Sequence, residues 1–502
     1  MNVENFKQPL IGVLKKAVLL GYAFLLPFSL VAQDAETEPE TKSSYSKAGE
    51  SDVPAQKRPK SPDSSKVKDL DNTDPEGREK NAGILKFGLE DEISELLAKL
   101  TTNKDVRFVN EAYDLFEETK SSRIKVNIFE YFAALEDPCL EDYAVMILND
   151  PYDEQKSVVN ACFGYVQAVK TSCAIPAVES LLENDAESYF NGAIAALGKI
   201  GGSDEALYLT EYFEKEDLTV AQKQTLVRVL GELKATETYD KLVEMAEDEN
   251  ENSFVRMYAS EAIGAMQKDG ALDVLTGLYD DKDPNLRVYV VKGVANFNNS
   301  DAEKLIIQAT RDSHVKVRLE AIAAIKKMKF SNAVPYLIYR AKNDPEQAVK
   351  NACYPVIAAL NTGEGNDYLV GQLTDKKVGD GTKVKISSAL LEAGNAGTKE
   401  IIDLARESLS DDKRKPMRYA LGKEFAKYDN SAFADICLEY LANKDVATQG
   451  TGLDIYAKGR YSKADSAVNA IADKFDPEAK KGNANAKKAS KILGRSLEKK
   501  SE

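Results

Sequence analysis

A short pattern returns along this chain at intervals of 31 to 35 residues, and that period limits what the chain can fold into. Aligned on a small residue near the end of an apolar run, the copies read YFAAL at Ala133, ALGKI at Gly198, VLGEL at Gly231 and AIGAM at Gly264. They continue with VANF at Ala295, AIKKM at Lys326, VIAAL at Ala358, EFAKY at Ala426 and IYAKG at Ala457. Gln167 and Ala393 hold the same place in two further copies. A self-similarity of this length, sustained over successive copies, is the signature of a repeat array rather than of one globular core.

Each copy reads as two helices. Around Lys326, Val315, Leu319, Ile322 and Ile325 fall on one stripe at steps of four, three and three residues. A break follows at Lys329 to Asn332, then a second helix over AVPYLIYRAK. Gly, Asn and Asp gather between units, as in GGSD, DDKDPN and ANKD, where they supply caps and turns. No segment shows the alternation of a strand, so the class is all-α. An amphipathic pair this short cannot hide its apolar face alone, but stacked copies bury one continuous core. The expectation is an α-solenoid of about eleven to twelve antiparallel helix pairs over residues 83–497, with a short tail over 498–502.

Two segments precede the array. Lys7, Lys15 and Lys16 lead into an uncharged run ending near Ala32, interrupted by Pro27 and short for a spanning helix. Residues 1–33 therefore read as an export signal, with an uncleaved anchor as the alternative. No Cys closes the run, which leaves a lipoprotein reading unsupported. Residues 34–82 are rich in Ser, Pro, Glu, Asp and Lys, too polar to bury a core, and read as a disordered linker. The expected location is the periplasm or the exterior of a bacterium, with membrane contact only if the signal stays attached.

A second marker lies eight residues before the small position. Lys125, Lys223, Arg256, Arg287, Arg318, Lys350, Lys385 and Arg418 are basic there. Acidic residues precede some of them in the turn, as Asp283 before Arg287 and Asp312 before Arg318. Phrases such as DPNLRVYVVKGVANF and SHVKVRLEAIAAIKKM resemble the HEAT-repeat family, particularly its short bacterial repeats of the phycobilisome-lyase type. The resemblance implies a ladder between each basic residue and neighbouring acidic turns. Val159, Phe190 and Gln449 interrupt the basic column, so a continuous ladder is not expected.

Composition narrows the chemistry. The formal charge of −15 disfavours nucleic acid, whose affinity rests on neutralising phosphates. His314 is the sole histidine, so no two-His metal site can be assembled from one chain, and a triad only around His314 itself. Cys139, Cys162, Cys173, Cys353 and Cys437 are odd in number and contain no CxxC, so they form no evident disulfide framework. Cys162 and Cys353 stand where Ala259 and Ala321 stand in other copies, and are expected to be buried. Asp281, Asp283 and Asn285 alternate like the start of a calcium loop, but Leu286 and Lys292 fill the places that need Gly and Glu. GNAGTK from Gly394 joins two helices and lacks phosphate-loop spacing.

What remains is surface. HEAT arrays line their concave side with the second helices, where Glu211, Tyr212, Glu244, Gln308, Tyr339 and Arg340 fall at corresponding places. Aromatics beside charges suit a protein-binding groove. The expectation is a non-enzymatic scaffold or adaptor for a protein or peptide, with no cofactor, metal or nucleic acid. The alternatives are a lyase-like enzyme, on repeat resemblance alone, or a structural spacer in an envelope assembly.

Overall fold

The computed structural model describes residues 75–184, 187–213, 218–394, 396–476, 484–495 and 497. The expected signal and most of the expected linker lie outside the described residues, as does the tail. α1 (Pro75–Phe87) comes first, and twelve helix pairs follow. They are α2 (Glu90–Asn103) with α3 (Val109–Glu118), α4 (Ser122–Leu135) with α5 (Glu141–Asn149), and α6 (Lys156–Val169) with α7 (Ile175–Glu183). Next come α8 (Phe190–Ile200) with α9 (Ser203–Phe213), α10 (Val220–Leu233) with α11 (Tyr239–Glu247), and α12 (Ser253–Met266) with α13 (Ala271–Leu278). Then α14 (Pro284–Val294) pairs with α15 (Ser300–Ala309), α16 (Val315–Met328) with α17 (Val334–Asn343), and α18 (Gln347–Leu360) with α19 (Gly363–Thr374). The series ends with α20 (Asp380–Ala393) and α21 (Thr398–Ser410), α22 (Lys415–Phe425) and α23 (Ala434–Leu441), α24 (Val446–Gly459) and α25 (Asp465–Ala472), closed by α26 (Ala484–Ile492). No strand occurs among the described residues.

First helix packs on first helix down the series, as α10 on α12, α12 on α14 and α14 on α16. Each second helix packs on the first helix that follows it, as α11 on α12 and α17 on α18. First helices are therefore covered from several sides. α16 buries Val317, Arg318, Ala321, Ile322, Ala324 and Ile325, a wider face than the stripe read from sequence, while Val315 and Leu319 are only half-buried. Second helices bury one stripe, such as Val334, Leu337, Ile338 and Ala341 on α17, and leave the other side bare.

The small position explains itself at the helix contacts. A Cβ added at Gly231 would stand 2.6 Å from that of Ala262, and one at Gly198 would stand 2.8 Å from Val229. At Gly264 it would lie 2.3 Å from the Cα of Gly293, so α12 and α14 touch backbone to backbone. Where Lys326 fills the position, its side chain is exposed.

Both ends of the helices are defined locally. Ser121, Thr219, Asn252 and Asp283 cap the helices that follow them with side-chain oxygens. Most first helices stop at a left-handed corner held by a residue other than glycine: Lys104, Glu136, Lys170, Lys234, Gln267, Lys329, Asn361 and Arg460. That corner turns the chain back into the second helix.

One boundary differs from the sequence reading. The array begins at Pro75, not Gly83, so the last residues of the expected linker are helical. Pro75 pre-sets the first turn, Arg78 pairs with Glu111 at 2.5 Å and sits 4.5 Å over the Phe108 ring, and Leu85 is buried. Charged residues supply this docking, which is why composition assigned the segment to the linker.

Gly264→Ala is expected to destabilise the array by about 1–3 kcal/mol, because backbone must move to admit one methyl group. Gly277→Ala, in α13 and with nothing within 4 Å of the added Cβ, is expected to gain roughly 0.5–1 kcal/mol from helix propensity. Urea denaturation of both variants checks the pair; a neutral Gly264→Ala would contradict the close contact.

Candidate protein-binding face

Three members of the basic column, Arg256, Arg287 and Arg318, form a ladder through the middle of the array, whereas Lys223, Lys350 and Lys385 form no ion pair among the described residues. Arg256 reaches Asp281 at 2.9 Å, and the Arg287 Nε and Nη2 hold both oxygens of Asp312 at 2.8 Å. Arg318 holds both oxygens of Asp344 at 2.9 Å, with the side chains 7% and 0% exposed. Each Arg crosses to the turn of the next repeat. Its own turn contributes carbonyls instead: Asp281 to Arg287, Asp312 and Ser313 to Arg318. Each carboxylate also accepts a backbone N–H two residues on, from Asp283, His314 or Glu346. Asp283, which precedes Arg287, is not a rung; it accepts from the Asn285 N–H and starts α14. The calcium-like spacing is thus an inter-repeat turn, as the sequence suggested.

Further along, Arg418 is buried and turns its guanidinium to the Ser408 and Leu409 carbonyls, while Tyr419 donates to Asp445 at 2.7 Å. Near the start, Lys125 reaches Glu154 in the following turn, and buried tyrosines also join the repeats. Tyr131 donates to the Asp105 carbonyl, and Tyr165 donates to the Asp137 carbonyl at 2.8 Å. These two stand two residues before Ala133 and Gln167, a recurrence readable in the sequence but overlooked beside the basic column.

Burial alone would push the ladder carboxyls up. For Asp312 and Asp344 the Arg bonds, with the backbone N–H of the turn, outweigh it and hold both below the ordinary value of 3.8. A carboxyl lowered on folding stabilises the array above its ordinary value, and that contribution is lost as pH falls through the folded value. Arg318→Met should therefore cost about 3 kcal/mol or more at pH 7, where it strands a buried charge. The gap from wild type should narrow as pH falls below about 4, because protonation neutralises Asp344. Equal gaps at pH 7 and about pH 3.5 in denaturant titrations would show that the pair does not act this way.

The residues expected on the binding face divide into two groups. Glu211 and Tyr212 lie on α9 and Glu244 on α11; Gln308 lies on α15, and Tyr339 and Arg340 on α17. Glu211, Glu244, Gln308 and Tyr339 are exposed, and Arg340 is partly so. Tyr212 is a correction. It is buried, packs on Phe190 and donates to the Leu182 carbonyl at 2.7 Å, so it joins repeats and offers no anchor. A helical Tyr beside Phe213 satisfies the core stripe as well as the outer one, which is why spacing misplaced it.

Around the first group the second helices are acidic. α3, α5, α7, α9 and α11 carry no Arg and one Lys, Lys241, among acids that include Glu111, Asp142, Glu183, Glu211 and Glu244. Burial, then Glu205 and Glu183, push the Glu179 carboxyl above its ordinary range. Exposed Met146 and Leu207 stand among these charges.

On α17 the sign reverses. α17 carries Arg340 and Lys342 and no acidic residue. Arg340 lies 4.9 Å over the ring of Tyr339, which is 56% exposed. Arg311, just past α15, lies 5.2 Å over the Tyr336 ring. An open cleft of about 470 Å³ is lined here by Tyr279, Lys304, Ile307, Gln308, Arg311 and Asp312.

His314 caps α16, its Nδ1 accepting from the Lys316 N–H. Cys437 is buried, and burial pushes its thiol up to about 12, as it does for Cys353. Cys139 and Cys162 are buried and raised further, Cys173 is exposed, and all five thiols are free. Among the described residues no His, Cys, Asp and Glu cluster could hold a metal ion, and no helix is long and apolar enough to cross a membrane. One thiol, Cys173, is expected to react with maleimide in the native chain, and all five in urea. Mass spectrometry counts the adducts; rapid labelling of Cys437 in the native chain would contradict its burial.

Comparison with known proteins places this geometry. A family model described as spirochaete HEAT repeat protein matches residues 85–492. No curated protein sequence matches. Among solved structures, the chain is similar to the complex of CpcE and CpcF of phycocyanin lyase from Nostoc sp. PCC7120, at 16% identity over 45% of this chain and 88% of that one, TM-score 0.27. It is also similar to Kap121p, at 10% identity over 82% of this chain and 52% of that one, TM-score 0.36. An engineered protein matches at 15% identity over 83% of this chain and 98% of that one, TM-score 0.25.

Proposed function

Because this chain belongs to the family of spirochaete HEAT-repeat proteins, we propose that it is an exported, non-enzymatic scaffold that binds a protein or peptide along its second helices. Solenoids of this type commonly serve protein interaction, and their repeat architecture leaves one extended face free for it. The observation that carries the reading is the sorting of charge on that face. The second helices are acidic from Val109 to Glu247, and α17 is basic with an exposed Tyr. A surface serving solubility alone mixes its signs, whereas sorted stretches give complementarity and steering toward a partner.

Export is the part of the proposal that rests on Lys7, Lys15, Lys16 and the apolar run to Ala32. The periplasmic side of the cell envelope is the proposed place of work, with residues 34–74 as a polar tether.

A photo-crosslinking amino acid at Tyr339 tests the face, with Phe254, exposed on first helix α12, as the control. In cells, the Tyr339 position is expected to give a discrete adduct in the envelope fraction, and the Phe254 position none. Adducts at neither site, or equally at both, would overturn the second-helix reading.

A further inference from the structure

The C-terminal ends of α15 and α17 gather Arg311, Arg340 and Lys342, a positive cluster that the ladder does not use up. Asp312 forms part of the cleft wall, yet it already accepts from Arg287 twice, from Tyr279 and from the His314 N–H. Asp344 is likewise held by Arg318 at two points, with Arg340 at 3.4 Å. Those two ladder carboxylates are thus neutralised by internal partners, while Glu303 on α15 and Glu364 and Asp367 on α19 lie towards the helix starts. Lys304 pairs with Asp301 on its own helix at 2.7 Å.

Arg311 and Lys342 have no such partner. Neither forms an ion pair among the described residues; each lies against an aromatic face instead, Arg311 on Tyr336 and Lys342 at 5.1 Å from the Tyr368 ring. Stacking holds the Arg311 guanidinium by its face and leaves the N–H donors at its edge open, and the Lys342 ammonium keeps the N–H donors that point away from its ring. Both residues lie at the C-terminal ends of second helices, where carbonyl dipoles favour a cation without consuming those donors. They are 31 residues apart, one repeat, so they hold the same place in adjoining units. Neighbouring helices lie about 8–10 Å apart. That span matches about three residues of extended chain.

Resting on the second-helix reading above, we propose that this cluster binds an acidic peptide segment of a partner protein, with carboxylates about three residues apart on Arg311 and Lys342. An apolar or aromatic side chain between them packs on Tyr339, and the cleft beside Ile307 and Gln308 takes the flanking chain. The planar guanidinium of Arg311 suits a carboxylate in two-point contact.

Fluorescence anisotropy with the full chain tests this, using a labelled ten-residue peptide with Glu at every third position around a central Leu. Matched peptides carrying Gln or Lys in place of Glu serve as controls. The Glu peptide is expected to bind at least about tenfold more tightly than the Gln peptide, and to weaken as salt screens the pairs. Arg311→Gln with Lys342→Gln should weaken it by about tenfold or more, with an unchanged circular dichroism spectrum. Arg311→Lys, which keeps the charge, should recover part of the loss. If the double variant binds the Glu peptide like wild type, or the Gln peptide binds as well, the acidic assignment is wrong. The crosslinker at Tyr339, placed in that double variant, separates the two claims. An undiminished adduct retains the face and discards the acidic ligand; absence of any adduct in the wild-type background discards both.

Discussion

Everything in this array depends on first helices lying against first helices. α12 and α14 meet at Gly264 and Gly293 with no room for a methyl group, and the contacts at Gly198 and Gly231 are similarly tight. Such an approach lets each first helix bury residues on several sides, so neither helix of a pair needs a core of its own. It also fixes the register of everything outside. With the first helices set side by side, the Arg of one unit meets the Asp turn of the next, and the second helices are left as an outer layer. Core, ladder and exposed face therefore follow in that order from one packing decision.

The ladder then shapes the surface by subtraction. Arg287 with Asp312, and Arg318 with Asp344, remove equal numbers of positive and negative charges from view. The remaining charges define the face: acids along α3 to α11, and Arg311, Arg340 and Lys342 near α17. A net charge of −15 conceals this, because an average has no position. The same paired groups hold the inter-repeat turns, so the surface pattern and the stability of the middle repeats have a common origin.

The helix pairs were legible because their signal is periodic. A period near 32 residues with a small residue at each helix contact survives degenerate copies, and it gave both the class and the number of pairs. The basic column was legible too, but not its partners. Asp283 is nearer Arg287 in sequence than Asp312, yet the bond crosses to the following turn, a fact of packing that spacing alone does not contain. Tyr212 was misplaced because second helices bury a narrow stripe, so one position decides between core and surface. Pro75 to Ala82 were assigned to the linker because their docking uses Arg78 and Phe108 rather than an apolar run. The reversal of sign between α11 and α17 was present in the sequence, but it becomes a surface property only once Asp312 and Asp344 are known to face inward.

The left-handed corners carry a consequence of their own. Lys104, Glu136, Lys170, Lys234, Gln267, Lys329, Asn361 and Arg460 each hold a conformation that glycine adopts freely and that costs other residues roughly 1–2 kcal/mol. Glycine would fit these joints with less strain, but it would also let each elbow sample other angles in the unfolded chain. With bulkier residues there, the elbows are stiff joints repeated at a fixed pitch. An error in folding one unit then has little slack with which to spread, and the array sets its geometry joint by joint rather than by negotiation along its whole length.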